Sequence, residues 1–252
     1  MTTAFSRHPT GATVYLAAMR FEASALLRRV DGALRVKSSE GVATVRGRIG
    51  NRPVRVAVCG VGARAARQAA QRCVRMACRG VCSRVVWIGI AGALSPDLEV
   101  GDLIVGRTAM APEEPSVDLD ETLVRAAVSQ GCRPGMLVTV PGPVATASSR
   151  EALWRRTGSL PVAAVDMESW EAARVFQSAG VPFAAVRAIS DTASDRLPSW
   201  LESASLVDGG LPLGWLVRES LSRPSTLVPL AKIRLRAVRL SARLAELAAA
   251  LV

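Results

Sequence analysis

Two short segments of the chain place carboxylates where they can act together on one ligand. They read Val-Asp-Met-Glu-Ser at 165–169 and Val-Arg-Ala-Ile-Ser-Asp at 186–191. The thioether of Met167 can pack against the face of a sugar, and the carboxylate of Glu168 can accept hydrogen bonds from two vicinal hydroxyls. Asp191, which follows Ser190, can offer an acid to a ring nitrogen of a base. The two segments therefore suit a compound in which a sugar is joined to a base.

The same carboxylates suit cleavage of the bond between that sugar and that base. Cleavage of a purine glycosidic bond leaves positive charge on the sugar and negative charge on the departing base, so an acid near the base favours its departure. The negative charge of Glu168 favours the growing positive charge on the sugar. A carboxylate at the start of a helix is often only a cap. The pairing of Glu168 with Asp191 in matching contexts nevertheless favours ligand contact.

Each segment lies at the end of a predicted strand, in a chain that alternates strands with helices. Apolar runs bounded by turn residues predict strands at 13–18, 42–48, 54–59, 85–90, 103–108, 136–140, 162–165 and 182–189. Helical periodicity predicts helices at about 22–30, 63–79, 120–130 and 167–179, the last ending at Gly180. The alternation predicts an α/β fold with a mixed, largely parallel central sheet and helices on both faces. Ligands of such sheets bind beyond the carboxyl ends of the strands.

Composition and charge restrict the class of protein. The chain has 252 residues, of which 50% are apolar, so it can bury a substantial core. Lysine and arginine total 32 against 21 acidic residues, a balance that favours anionic ligands or surfaces. The aromatic content of 4% argues against a stacking platform for single strands, and no specific nucleic acid is expected. The single histidine and five cysteines suggest no zinc ligand set, so neither a metal nor a cofactor is expected.

Four separated motifs resemble the purine nucleoside phosphorylase/uridine phosphorylase superfamily over about residues 13–195. They are Ala-Ala-Met-Arg-Phe-Glu at 17–22, Gly-Ile-Ala-Gly-Ala-Leu at 89–94, Asp-Met-Glu at 166–168 and Ser-Asp at 190–191. The first looks like a turn of 5′-methylthioadenosine/S-adenosylhomocysteine nucleosidases, where a glutamate at the position of Glu22 helps to activate water. The resemblance implies a nucleoside phosphorylase-like fold, a homo-oligomer and catalysis by Glu22 and Asp191. It also implies substrate binding by Met167, Glu168, Ser190, Ala91 and Gly92.

Two departures from those nucleosidases bear on the base and the nucleophile. Residues 142–147 replace a segment that usually supplies an aromatic side chain against the purine, and position 20 is arginine where those enzymes carry an acid. Arg20 and Arg64 are predicted phosphate ligands, and the backbone amide of Gly62 can bind an anion. Phosphate is therefore a candidate co-substrate, and the sequence leaves water and phosphate open as the nucleophile.

The chain divides into an α/β domain at 1–210 and a C-terminal basic amphipathic helical extension at 211–252. One helical face of the extension carries Ile233, Ala237, Leu240, Leu244, Leu247 and Leu251, and an adjoining face carries Lys232, Arg236, Arg239 and Arg243. Such a helix either contacts an anionic membrane or packs on its own domain, and both readings stay open. Together with the core motifs, the extension resembles the hopanoid-associated phosphorylases, which implies adenosylhopane as the substrate.

The sequence therefore predicts an enzyme that releases adenine from a 5′-substituted adenosine, with adenosylhopane as the implied substrate and ribosyl- or phosphoribosyl-hopane as the other product. The alternative is a soluble 5′-methylthioadenosine/S-adenosylhomocysteine nucleosidase, and a third reading is a non-catalytic nucleoside- or nucleic-acid-binding module. No signal peptide or spanning apolar run is apparent. A cytoplasmic protein is expected, with peripheral contact at the inner membrane through its C-terminal helix.

Overall fold

The structure is a computed structural model that describes residues 11–37, 43–196 and 227–251. The strands of this part are β1 (Ala12–Ala17), β2 (Asp31–Lys37), β3 (Ala43–Ile49), β4 (Arg52–Val58), β5 (Cys82–Ala93), β6 (Leu103–Met110), β7 (Val117–Asp118), β8 (Arg133–Thr139), β9 (Ala163–Asp166) and β10 (Phe183–Asp191). Its helices are α1 (Arg20–Leu27), α2 (Ala63–Cys78), α3 (Glu121–Ser129), α4 (Ala147–Arg156), α5 (Ser169–Ala179) and α6 (Leu227–Ala250).

The strands form one mixed sheet in the order β10-β6-β8-β9-β5-β1-β4-β3-β2, with β7 added to β6. A further pairing of β10 with β5 closes β5, β10, β6, β8 and β9 into a ring. Strand β1 is parallel to β4 and β5, whereas β2, β3 and β4 are joined as antiparallel neighbours. Helices α2, α3, α5 and α6 pack against the strands. The predicted α/β fold with a mixed sheet is confirmed.

The pairing of the central strands brings the two carboxylate-bearing segments together. Strands β1, β5 and β10 are parallel neighbours, so their carboxyl ends meet at one edge. Strand β9 pairs antiparallel with the last residues of β5, and this pairing delivers the turn after Asp166 to the same edge. All nine residues of β10 are buried, as expected for a strand covered on both faces. Gly180, with a φ of 65°, ends α5 in the left-handed conformation, as predicted.

Helix α6 packs into the core of the α/β domain. Leu240, Leu244, Leu247 and Leu251 are buried in the same apolar cluster as the central strands. The hydroxyl of Tyr15 in β1 donates a hydrogen bond to the carbonyl of Ala248 at 2.5 Å. The apolar face at 240–251 is therefore covered by the protein itself, which favours packing over membrane contact for this part of the helix. The predicted domain boundary at residue 210 lies outside the described residues.

None of the helices in the described ranges is long and apolar enough to cross a membrane.

Shortening a leucine of α6 should destabilise the whole domain. Leu244 is fully buried, so Leu244→Ala is expected to lower the free energy of unfolding by about 2–5 kcal/mol through lost contacts and a residual cavity. Urea denaturation followed by circular dichroism measures this change. Arg239→Ala, at an exposed position of the same helix, should stay within about 0.5 kcal/mol of the wild type. Equal stability of the two variants would show that α6 does not belong to the cooperative core.

Candidate active site

A cavity of about 180 Å³ lies beyond the carboxyl ends of β1, β5, β9 and β10. Glu22, Glu168 and Asp191 line it together with the buried side chain of Arg150. The remaining lining is mainly apolar and includes Met19, Val61, Ile90, Val140, Pro143, Val144, Val165 and Met167. No aromatic side chain is among the described lining residues. A small, largely apolar space with a few charged groups is the usual character of a small-molecule site.

Glu168 lies in the turn between β9 and α5 and is almost completely buried. Its Oε1 accepts a hydrogen bond of 2.8 Å from the backbone N–H of Gly62. Burial, reinforced by the neighbouring Asp166 carboxylate, raises the pKa of Glu168 to about 8, although the charge of Arg187 and the Gly62 bond favour the ionised form. Burial thus favours the protonated form of Glu168, whereas hydroxyl groups that donate hydrogen bonds to the carboxylate favour its ionised form.

Glu22 lies in the first turn of α1 and connects that turn to β5. Its Oε2 accepts from the backbone N–H of Met19 at 2.8 Å, and its Oε1 accepts from that of Ile90 at 3.1 Å. A Cβ atom at Gly89 would lie 2.9 Å from Oε1, so this approach to the strand requires a glycine. Burial is the main cause of the raised pKa of Glu22, against the opposing effect of these backbone bonds and Arg187. A buried carboxyl with a raised pKa is suited to accepting a proton from water.

A buried ion pair between Asp166 and Arg187 supports the turn that carries Glu168. Arg187 Nε donates to Asp166 Oδ2 at 3.0 Å, and its Nη1 donates to the carbonyl of Trp87 at 3.1 Å. Thr139 donates to Asp166 Oδ1 at 2.7 Å. The backbone N–H groups of Glu168 and Ser169 donate to the same oxygen at 3.3 and 3.2 Å. Because both charged groups are buried and fully engaged, they fix the direction of the turn.

Asp191 is the last residue of β10 and follows Ser190. The Ser190 hydroxyl donates to Asp191 Oδ1 at 2.5 Å. Asp191 Oδ2 forms an ion pair with the guanidinium of Arg150. Apart from that ion pair, Oδ2 has no hydrogen-bond partner among the described residues. The carboxylate is thus held between Ser190 and Arg150 at the wall of the cavity.

The structure brings most of the predicted site residues to one cavity. The lining includes Glu22, Ala91, Gly92, Met167, Glu168, Ser190 and Asp191. Gly62 lies beside it, and its amide donates to Glu168 Oε1, so its role in binding phosphate stays a prediction. Arg20 and Arg64 are exposed and do not line the cavity, so their predicted role as phosphate ligands gains no support from the geometry.

The motifs do not predict the structural roles of three charged residues of the site, which are Asp166, Arg150 and Arg187. Asp166 stands inside the motif at 166–168, yet its carboxylate turns away to hold Arg187. A single arginine in the otherwise apolar strand at 182–189 is the sequence signal for that ion pair, because a buried charge requires a partner. Arg150 gives no such signal, since it lies among exposed arginines of α4.

Within the described ranges, no group of three histidine, cysteine, aspartate or glutamate residues is placed to hold a metal ion.

Comparison with known families identifies the superfamily of the protein and its class of enzyme. A family model described as the phosphorylase superfamily matches residues 12–206. The chain belongs to this superfamily. Its members cleave glycosidic bonds, and the predicted reaction class and the predicted superfamily are thereby confirmed. Comparison of the sequence with curated proteins gives no significant match.

Solved structures of superfamily members share the fold of this protein over nearly their whole length. The futalosine hydrolase of Helicobacter pylori is 20% identical, with a TM-score of 0.71 over 96% of this chain and 97% of its own. The 5′-methylthioadenosine/S-adenosylhomocysteine nucleosidase of Campylobacter jejuni is 16% identical, with a TM-score of 0.72 over 96% and 98%. The S-adenosylhomocysteine nucleosidase of Streptococcus pyogenes is 19% identical, with a TM-score of 0.74 over 98% of both chains. At these identities the likeness establishes the fold alone.

Proposed function

We propose that this superfamily member cleaves the N-glycosidic bond of a 5′-substituted adenosine and releases adenine. The observation that carries the proposal is the convergence of Glu22, Glu168 and Asp191 on one cavity of about 180 Å³. Each of the three has a different environment, which suits three different tasks in one reaction. A module that only binds polyanions has no use for three buried carboxyl groups in one site.

The contacts of the carboxyl groups support a division of labour. Glu168 and Met167 hold the ribose, since a carboxylate accepts hydrogen bonds from two vicinal hydroxyls and a thioether packs against the sugar. Asp191 lines the cavity and acts as the acid for the departing purine. Glu22 accepts the proton of an attacking water molecule, for which its burial and raised pKa suit it.

Water is the nucleophile that the geometry favours over phosphate. The predicted phosphate ligands Arg20 and Arg64 stay outside the cavity, and the Gly62 amide is bound by Glu168. Adenine release measured in phosphate-free buffer and again with added phosphate tests this choice. Turnover that is unchanged by phosphate supports hydrolysis, whereas turnover that requires phosphate and yields a ribose 1-phosphate would establish phosphorolysis.

Two kinds of 5′ substituent are candidates for the substrate: the hopanoid of adenosylhopane, and the sulfur-linked groups of methylthioadenosine and S-adenosylhomocysteine. Adenosylhopane is supported by the resemblance of the C-terminal segment to hopanoid-associated phosphorylases. However, the apolar face of α6 at 240–251 is buried in the protein core, so this face is not available for contact with a membrane. 5′-Methylthioadenosine and S-adenosylhomocysteine are supported no less, since nucleosidases named for them share the fold. Parallel assays of adenine release from methylthioadenosine and from adenosylhopane in detergent decide between the two by their kcat/KM values.

The protein is also proposed to form a homo-oligomer and to attach peripherally to a membrane. A homo-oligomer is implied by the superfamily resemblance, and sedimentation of the purified protein measures it. Peripheral attachment to an inner membrane rests on the basic residues of α6, of which Arg236 pairs with Asp195 and Arg243 donates to the carbonyl of Gly101. Co-sedimentation with anionic vesicles at low and high salt tests the attachment, because screening weakens an electrostatic contact.

The ionisation of Glu168 should control the pH dependence of the reaction. The ionised carboxylate accepts hydrogen bonds from both ribose hydroxyls, and its fraction rises with pH through the pKa of about 8. We therefore expect kcat/KM for adenine release to rise with pH through about 8 and to level off about one pH unit above that value, since kcat/KM reports the free enzyme. In Glu168→Gln this rise should disappear, while a variant with the wild-type profile would assign the titration to another group.

A further inference from the structure

Arg150 lines the cavity and has no part in the division of labour given above. Its side chain is 1% exposed, although a guanidinium carries a full positive charge at any physiological pH. Burying such a charge is costly unless it is paired and hydrogen-bonded. The neighbouring arginines of α4, at 155 and 156, are exposed. The position of Arg150 therefore needs a specific explanation.

Backbone carbonyls from three segments hold the guanidinium in one orientation. Arg150 Nε donates to the carbonyl of Val144 at 3.1 Å, in the loop before α4. Its Nη1 donates to the carbonyl of Thr192 at 2.9 Å, just after β10, and to that of Ala93 at 3.4 Å, at the end of β5. With Nε and Nη1 engaged in this way, Nη2 is directed at Asp191 Oδ2. The fixed fork of arginine makes this arrangement possible, and lysine would not reproduce it.

The ion pair lies directly over the end of β5. A Cβ atom at Gly92 would lie 3.0 Å from Asp191 Oδ2 and 3.2 Å from Arg150 Nη1. With any other residue at this position, the ends of these side chains would have to shift by a few tenths of an ångström. The backbone thus leaves room for the Asp191–Arg150 pair at the wall of the cavity. A buried ion pair adds little net stability compared with apolar residues of the same volume, so stability alone does not explain why this pair lies at the cavity.

We propose that Arg150 is a positioning residue for the departing base, acting through Asp191. It holds the Asp191 carboxylate with Oδ2 at the cavity, and its charge offsets the negative charge that the base develops as it leaves. This inference rests on the proposed function, because it concerns the same glycosidic cleavage. A preorganised positive charge in a site without bulk water stabilises such a developing charge strongly.

The reaction that this arrangement assists is balanced without a further reactant. The bond between C1′ and N9 breaks and its electron pair stays with the purine, while an oxygen of the nucleophile bonds to C1′. The proton that the nucleophile loses is balanced by the proton that the base gains. Arg150 neither gives nor takes a proton, since its guanidinium stays charged. Its contribution should therefore depend on how poor the leaving group is.

The test compares two leaving groups that carry the same ribose and the same 5′ group. Adenine is the poorer leaving group, and 6-chloropurine is a better one that needs less assistance. For Arg150→Met we expect kcat for the adenine riboside to fall about 100-fold and kcat for the 6-chloropurine riboside to fall less than about tenfold, with similar KM values. Arg156→Met, at an exposed position of the same helix, is the matched control and should keep wild-type kinetics on both substrates.

The possible results separate this inference from the proposed function. A wild-type protein that releases neither base removes the proposed function and the inference with it. An active wild type combined with an equal loss on both ribosides, or with no loss, overturns the inference alone. If Arg150→Met does not fold, Gly92→Ala presses on the same ion pair from the β5 side by a few tenths of an ångström and should show a smaller loss of the same unequal kind. Arg150→Lys, which keeps the charge without the fork, should retain an intermediate rate.

Discussion

Replacing Asp191 with asparagine is expected to lower adenine release at least about 100-fold. The amide has nearly the shape of the carboxyl group but cannot transfer a proton to the departing purine. Asp191 lines the cavity, so the substitution acts at a group within reach of the ligand. Initial rates of adenine release at saturating substrate measure the effect on kcat.

The same substitution changes the electrostatics of the fold. Asp191→Asn leaves the buried guanidinium of Arg150 without its partner, and breaking a buried ion pair costs about 3–5 kcal/mol. Part of any loss of activity then comes from unfolded protein. Urea denaturation of the variant gives the folded fraction by which each rate is divided.

The double variant Asp191→Asn/Arg150→Met separates the two effects. It removes both charges, so it should recover much of the lost stability while staying inactive on the adenine riboside. Adenine release at a near-normal rate by folded Asp191→Asn protein would remove Asp191 from the mechanism.

The central strands could be predicted from sequence because burial on both faces leaves a direct record in composition. The apolar run at 85–90 lies within β5, and the run at 182–189 lies within β10 apart from its first residue. Helix α4 gives no comparable record, since its stretch of serine, arginine and alanine at 147–156 has little apolar periodicity and a single buried side chain, that of Arg150. Strand β2 likewise gives no apolar pattern, because its side chains at 31–36 are exposed or half-buried. Elements that contribute little to the core are the ones that periodicity misses.

The candidate site divides along a similar line. Glu168 and Asp191 could be predicted because their motifs place a carboxylate at a strand end, and strand ends meet in this kind of sheet. The contacts of Arg150 join residues 57 and 42 positions away, so they arise only when the chain has folded.

For helix α6, the sequence predicts the element but not the surface that it contacts, since an amphipathic pattern is the same for a membrane and for a protein core. Only its contacts with β1 and α1 decide between them.

Substituting glutamine for Glu168 should weaken the cleavage of ribosides much more than that of 2′-deoxyribosides. The ionised carboxylate accepts hydrogen bonds from both hydroxyls of ribose, and a 2′-deoxyriboside lacks one of them. A hydrogen bond to a charged group contributes about 1.5–3 kcal/mol, so kcat/KM for the riboside should fall roughly 10- to 150-fold further than for the deoxyriboside. The Gly62 N–H still meets an oxygen in Glu168→Gln, which keeps the turn in place.

The comparison needs a control that alters a neighbouring carboxylate without reaching the cavity. Glu171 lies one turn further along α5 and pairs with Arg67 and Arg174 rather than facing the cavity. Glu171→Gln should therefore lower the kcat/KM of both substrates by the same small factor. If Glu168→Gln also affects riboside and deoxyriboside equally, Glu168 does not bind the 2′-hydroxyl. The ratio of the two kcat/KM values is unaffected by the amount of folded protein, so a loss of stability cannot imitate the expected result.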